Sequence, residues 1–170
     1  QHYLETVRRD FTNQKHYAER AFSQLEIDDF YVRLGDNTNS IYTIVKHISG
    51  NLKSRWTDFL TADGEKPERH RDGEFAEERK SREEILAMWE EGWKCLLGTL
   101  AELRPADLSR VVKIRNEPQT VIEATNRAWG HLAGHVAQIM LLARHIKGPE
   151  WKWLTIAPGE SERFKPGSPR

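Results

Sequence analysis

Four long stretches of helical apolar period, two of them opened by reciprocal capping boxes, constrain this chain more than any other feature. In Ser81-Arg-Glu-Glu84 and Thr120-Val-Ile-Glu123, the hydroxyl and the carboxylate three residues on can each satisfy a backbone N–H that a helix start leaves free. The first box predicts a helix carrying Ile85, Met88, Trp89, Cys95, Leu96 and Leu100 and ending before Pro105. The second predicts a helix running to about Lys147 and stopped by Gly148-Pro149. Upstream, Leu4, Val7, Phe11, Tyr17, Ala21 and Phe22 mark a helix over about 3–25, with 27–34 adding a turn or two before Gly35. A further helix is expected from Asn39 or Ser40 to about Leu60 on the stripe Ile41, Ile44, Ile48, Leu52 and Phe59, some 30 Å long at about 1.5 Å per residue.

The connections are of a different character. Residues 64–80 hold Pro67 and Gly73 among charges of both signs and read as a solvated crossover loop. Residues 110–115 are short and β-branched and suit an extended strand. The tail, 151–170, carries Pro158, Gly159, Pro166 and Pro169 and is expected to lie irregularly over the helices. The expected fold is therefore all-α: a four-helix bundle with a long crossover loop and an irregular C-terminal tail, in a single domain over 1–170 whose residues 150–170 pack on the bundle.

Composition narrows the function. The 170 residues carry 26 Lys+Arg against 26 Asp+Glu, which removes the general attraction that non-specific nucleic-acid binding needs. Cys95 has no cysteine partner, so the chain suits a reducing, cytoplasmic compartment. No apolar run approaches the roughly 20 residues of a membrane span, and the charged start is unlike a secretory signal. Beginning at Gln1, the sequence is expected to lack its initiating Met or a few residues.

Bundles build sites from inward-facing side chains, which directs attention to the histidines. His131 and His135 are four apart on the last helix, a spacing that lets two imidazoles reach one ion. With 7 His in 170 positions, roughly 0.28 such pairs arise by chance, so the pair alone is a weak motif. Gly130 and Gly134 lie beside them at a cost of about 1 kcal/mol each relative to Ala. Room for a ligand or close helix packing explains them equally well. His47, beside Ile44, Ile48 and Asn51 on the second helix, is the candidate third ligand, with a buried histidine bonded to a carbonyl as the plainer reading. His2, His16, His70 and His145 are expected at the surface.

One histidine on the second helix and an H-x-x-x-H pair on the last resemble the DinB/YfiT-like superfamily of metal-binding four-helix proteins. More narrowly, Asn39-Ser-Ile41, Val45-Lys-His47, Gly50-Asn51 and Ser54-Arg-Trp-Thr-Asp-Phe-Leu60 resemble a DUF1572-type subfamily. So do Asp63-Gly-Glu-Lys-Pro67, Arg71-Asp72, Glu74-Phe75, Ile114-Arg115, Glu117, and the tail's Trp153-Leu-Thr-Ile156, Pro158-Gly159 and Ser161. The resemblance implies an up-down-down-up bundle binding one divalent ion, nickel or zinc, through His47, His131 and His135. It also implies homodimers, a small-molecule substrate, and transferase chemistry with a low-molecular-weight thiol. The superfamily pattern often has Gly where Ala137 stands before Gln138, a change expected to narrow the pocket or alter helix contact.

Three imidazoles leave an ion open positions, as catalytic sites require. Without a Glu beside the pair, since Leu132, Ala133 and Gly134 intervene, metalloprotease chemistry is disfavoured. The expected activity is a metal-dependent thiol S-transferase or hydrolase. A non-catalytic, metal-stapled or ligand-sensing bundle is the competing class. Asn51 and Gln138 can orient a bound water or ligand, or simply bridge helices. Trp56, Trp89, Trp93 and Trp129 suit the core better than a pocket, and Trp151 and Trp153 suit anchoring of the tail. Arg55, Arg71 and Arg115, with Asp58, Asp72 and Glu117, are expected to form salt bridges fastening crossover and tail, with substrate-anion binding as the lesser reading. Cys95 reads as a small buried hydrophobe.

Overall fold

The computed structural model describes residues 1–163. Its helices are α1 (His2–Phe22), α2 (Ile41–Trp56), α3 (Arg82–Glu102) and α4 (Val121–Lys147), with a hairpin of β1 (Val111–Ile114) and β2 (Glu117–Thr120) between the last two. The fold is an all-α bundle with one small two-stranded sheet. Its helix starts follow local chemistry. Both capping boxes close, and the Ser40 hydroxyl accepts from the Thr43 N–H to begin α2. At the far end of α4, Gly148 takes a φ of 51° and stops the helix.

The stripes meet in one core. Phe11, Ile44, Ile48, Trp89, Trp93, Leu132 and Ile139 are all fully buried. α2 packs most extensively on α3, and α1 on α4. The α2–α3 approach is close enough that a Cβ at Gly92 would lie 2.9 Å from the Ser49 backbone, which only glycine avoids.

Two helix ends fall short of expectation. α1 ends at Phe22, and residues 28–31 form a 3-10 turn, not a continuation of the α-helix. α2 ends at Trp56 instead of Leu60, because Thr57 turns extended and Asp58 adopts a φ of 49°. Phe59 is nevertheless buried, since its ring stacks on Trp56 at 4.5 Å.

The crossover is largely exposed, as its composition suggests, but specific hydrogen bonds order it. The Ser54 hydroxyl donates to the Gly64 carbonyl and accepts from the Lys66 N–H. The Gly64 N–H in turn donates to the Lys113 carbonyl on β1. The Asp63 carboxylate accepts from the Glu65, Arg115 and Asn116 amides at 2.7, 2.9 and 2.8 Å, and these bonds hold its pKa below the usual range. Arg115 and Asn116 both have positive φ, the signature of a two-residue I′ hairpin turn.

The tail is tied down where it is described. Arg20 donates to the Leu154 carbonyl, Lys152 and Gln24 exchange hydrogen bonds, and Leu154 is buried. Arg144 lies 4.2 Å over the Trp153 ring. The rest of the expected tail, 164–170, lies outside the described residues. No helix among the described residues is long and apolar enough to cross a membrane.

Candidate metal centre

α2 supplies His47, which is buried, and α4 supplies His131 and His135, which are half-buried. One ring nitrogen from each lies within 4.8 Å of the other two. His131 Nε2 is 3.2 Å from both His47 Nε2 and His135 Nε2. Ligand nitrogens about 2.0–2.1 Å from a tetrahedral zinc stand roughly 3.3 Å apart, so the two spacings to His131 already match those of a ligand set. This is the only group of three or more His, Cys, Asp or Glu with such convergence among the described residues.

Behind His47 stands a carboxylate that the sequence places in a family-like block but does not mark as a site residue. Glu74 Oε2 is 2.9 Å from His47 Nδ1, and Arg69 grips the same carboxylate in bidentate fashion at 2.8 and 2.9 Å. Burial pushes the Glu74 carboxyl up, but His47 and Arg69 outweigh it and hold its pKa below the usual range. An ionised carboxylate only accepts, so His47 donates from Nδ1 and turns the lone pair of Nε2 toward the other histidines. The approach depends on Gly50, where a Cβ would lie 2.2 Å from Glu74 Oε1. His47 also stacks on Phe75 with ring centres 4.9 Å apart.

The other two imidazoles favour the neutral form that binds metals. Burial pushes the His131 pKa down, His135, His47 and two nearby arginines push it further, and it falls to about 4. Burial likewise lowers His135, with His47 adding to the effect and Gln138 opposing it. His135 Nδ1 is buried without a hydrogen-bond partner among the described residues.

Beside the trio lies a cleft of about 180 Å³ bordered by His47 and His131, by Asn51, Trp56, Phe59 and Ile114, and by Arg55, Arg69, Arg71, Arg115 and Arg127. Asn51 therefore faces the site, whereas Gln138 is exposed and lies outside the cleft lining. Ala137 is also exposed, so its methyl group does not narrow the cleft. A Cβ at Gly130 or Gly134 would meet nothing within 4 Å, so close packing does not account for these glycines.

The arginine pairings differ from expectation. Arg55 and Arg115 both reach Glu65, at 3.0 and 3.1 Å, and Arg71 lies over the Phe75 ring. Asp58, Asp72 and Glu117 form no ion pair among the described residues. Trp56, Trp89 and Trp93 are core residues, but Trp129 is 39% exposed. Cys95 is half-buried in α3 near the Thr57 hydroxyl, and His2, His16, His70 and His145 are exposed.

A helical bundle with three convergent histidines on two of its helices, and a cleft at their side, defines the class of protein. The chain belongs to the DUF1572 family, described as a protein of unknown function, whose model matches residues 1–160. No curated protein matches it.

Proposed function

We propose that this chain is a divalent-metal protein of the DinB-like superfamily, in which His47, His131 and His135 hold one nickel or zinc ion and a small molecule is processed beside it. The observation that carries the reading is the convergence of three ring nitrogens at the edge of a cleft. The donor set suits such an ion: two imidazoles are kept neutral, and the third is oriented by an ionised carboxylate.

Thiol transfer suits the cleft better than hydrolysis. Among the described residues its lining contains no carboxylate, and Glu74 is paired with His47 and Arg69, so no free carboxylate among them faces the site as a general base. A thiol, with a pKa near 8.5 against about 15.7 for water, needs less help to become a nucleophile. When bound, the ion would supply the positive charge that eases this ionisation. The chain's own residues then hold the ion's ligands in register, while Asn51 offers an amide to the substrate. A low-molecular-weight thiol is the expected co-substrate, with the protein acting in the cytoplasm as a homodimer.

A second reading rests on a separate feature. The histidines join α2 to α4, which pack on each other less than α2 packs on α3, so an ion there would also staple the bundle. Elemental analysis of the purified full chain, followed by a screen of small thiols against a chromogenic electrophile, tests both. About one metal per chain with metal-dependent turnover supports the transferase. Metal that raises thermal stability without turnover favours the staple. No stoichiometric nickel or zinc, even after supply, overturns both.

A further inference from the structure

The chain has zero net charge, yet among the described residues five arginines and no carboxylate line the cleft beside the histidines. Two carboxylates behind the wall do not balance them: Glu65 serves Arg55, Arg69 and Arg115 together, while Glu74 serves Arg69 and His47. The Arg127 side chain makes no hydrogen bond or ion pair among the described residues, and the Arg71 side chain makes only its contact with Phe75.

Arg55 is the most telling of the group. Its side chain is only 13% exposed, and although Nη2 pairs with Glu65, Nη1 is buried and has no partner among the described residues. A buried donor left unsatisfied is destabilising, and that cost is removed when a ligand accepts from it. Burial lowers the Arg55 pKa, Glu65 opposes this, and Arg69, Arg127 and Arg115 lower it further. The positive field is therefore concentrated at one wall of a concave site, where low-dielectric surroundings strengthen it. Planar guanidiniums with free N–H groups match the oxygens of a phosphoryl or carboxylate group.

We propose that this cleft is an oxyanion-binding subsite, in which Arg55, Arg71 and Arg127 hold a phosphoryl or carboxylate group of the small molecule acted on at the histidines. The subsite deepens the metal-centre reading and rests on it for the role of the histidines, but not for the binding of the anion. The substrate class is thus an anionic small molecule whose charged end lies among the arginines and whose other end reaches the His47–His131 edge. Nucleic acid remains disfavoured, because the chain as a whole carries zero net charge.

Isothermal titration of the full chain, metal-free and zinc-loaded, with inorganic phosphate and separately with succinate is the test. Saturable binding of one of them by the metal-free protein is expected, and the tighter of the two identifies the group. Arg127→Ala should weaken that binding at least tenfold and Arg127→Lys should restore part of it, with zinc uptake unchanged in both variants. Because Arg127 is exposed and unpaired, these changes leave the fold intact. Absence of saturable binding of either anion overturns the subsite. So does binding that appears only with zinc and is indifferent to Arg127→Ala, which would place the anion on the ion itself. Anion binding that is intact in a protein unable to take up zinc supports the subsite while removing the metal-centre reading.

Discussion

His47 Nδ1 and Glu74 Oε2 stand 2.9 Å apart across 27 residues of sequence, and that bond sets which nitrogen of His47 faces the other histidines. Replacing Glu74 by Gln keeps the shape but removes the charge that both His47 and Arg69 are paired with. Metal affinity should fall about 10–100-fold, the usual effect of removing such an orienting partner. Chelator competition with zinc measures it. His145→Ala, on the exposed face of α4, should leave affinity unchanged, whereas His131→Ala and His135→Ala should each remove most of it. Unchanged affinity in Glu74→Gln would mean that His47 is oriented by helix packing alone.

Gly50 gives a test with an inverted sign. Ala normally stabilises a helix interior by about 1 kcal/mol relative to Gly. At position 50 the added methyl would lie 2.2 Å from Glu74 Oε1, and that carboxylate cannot swing away without leaving His47 and Arg69. Gly50→Ala should therefore lower both the melting temperature and metal affinity. Gly98→Ala and Gly130→Ala, with nothing within 4 Å, should be neutral or stabilising. Thermal melts of the three variants decide the matter, and a stabilised Gly50→Ala would show that Glu74 is not held as described.

Legibility divides along the range of the interactions. The starts of α2, α3 and α4 were readable because a cap is decided within a few residues. The end of α2 was not, because Phe59 remains in phase with the apolar stripe while Asp58 has already left the helix. The pair His131 and His135 shows in the spacing and His47 shows in its stripe, so the three side chains that converge were legible as candidates. Glu74, Arg69 and Arg127 were missed as site residues. The first two lie in a charge-dense stretch with no period, and what orders that stretch is a set of tertiary bonds to Ser54, His47 and Lys113. The apolar period of α4 places Arg127 on a polar side without saying that a cleft lies beneath it.

Acid should weaken the metal-free protein in a defined window. The folded His131 pKa of about 4 lies below the unfolded value of about 6.5, so the unfolded chain takes up the proton first. The stability this contributes is fully present above about pH 6.5 and is lost progressively as the pH falls toward 4. His135 is shifted in the same direction and adds to the effect. Urea denaturation of metal-free protein across that range should show a falling midpoint, with a shallower fall in His131→Asn. Parallel slopes in the two proteins would remove His131 as the cause.

Asp63 links the crossover to the hairpin that presents Arg115 to the cleft. Its carboxylate takes the backbone N–H groups of Arg115 and Asn116, two residues whose positive φ values disfavour ordinary side chains. Asp63→Ala removes the acceptor for both, and for Glu65 as well. A loss of about 1–2 kcal/mol is expected, with the α-helical signal retained because no helix depends on these bonds. Asp63→Asn, which keeps one acceptor oxygen, should lie between the two. Hydrogen exchange locates the effect: the Arg115 and Asn116 amides should exchange faster in Asp63→Ala, while those of α3 and α4 keep their protection. If the two turn amides remain protected, the hairpin is ordered by its own strand pairing and by Ile114 in the core, and Asp63 is incidental to it.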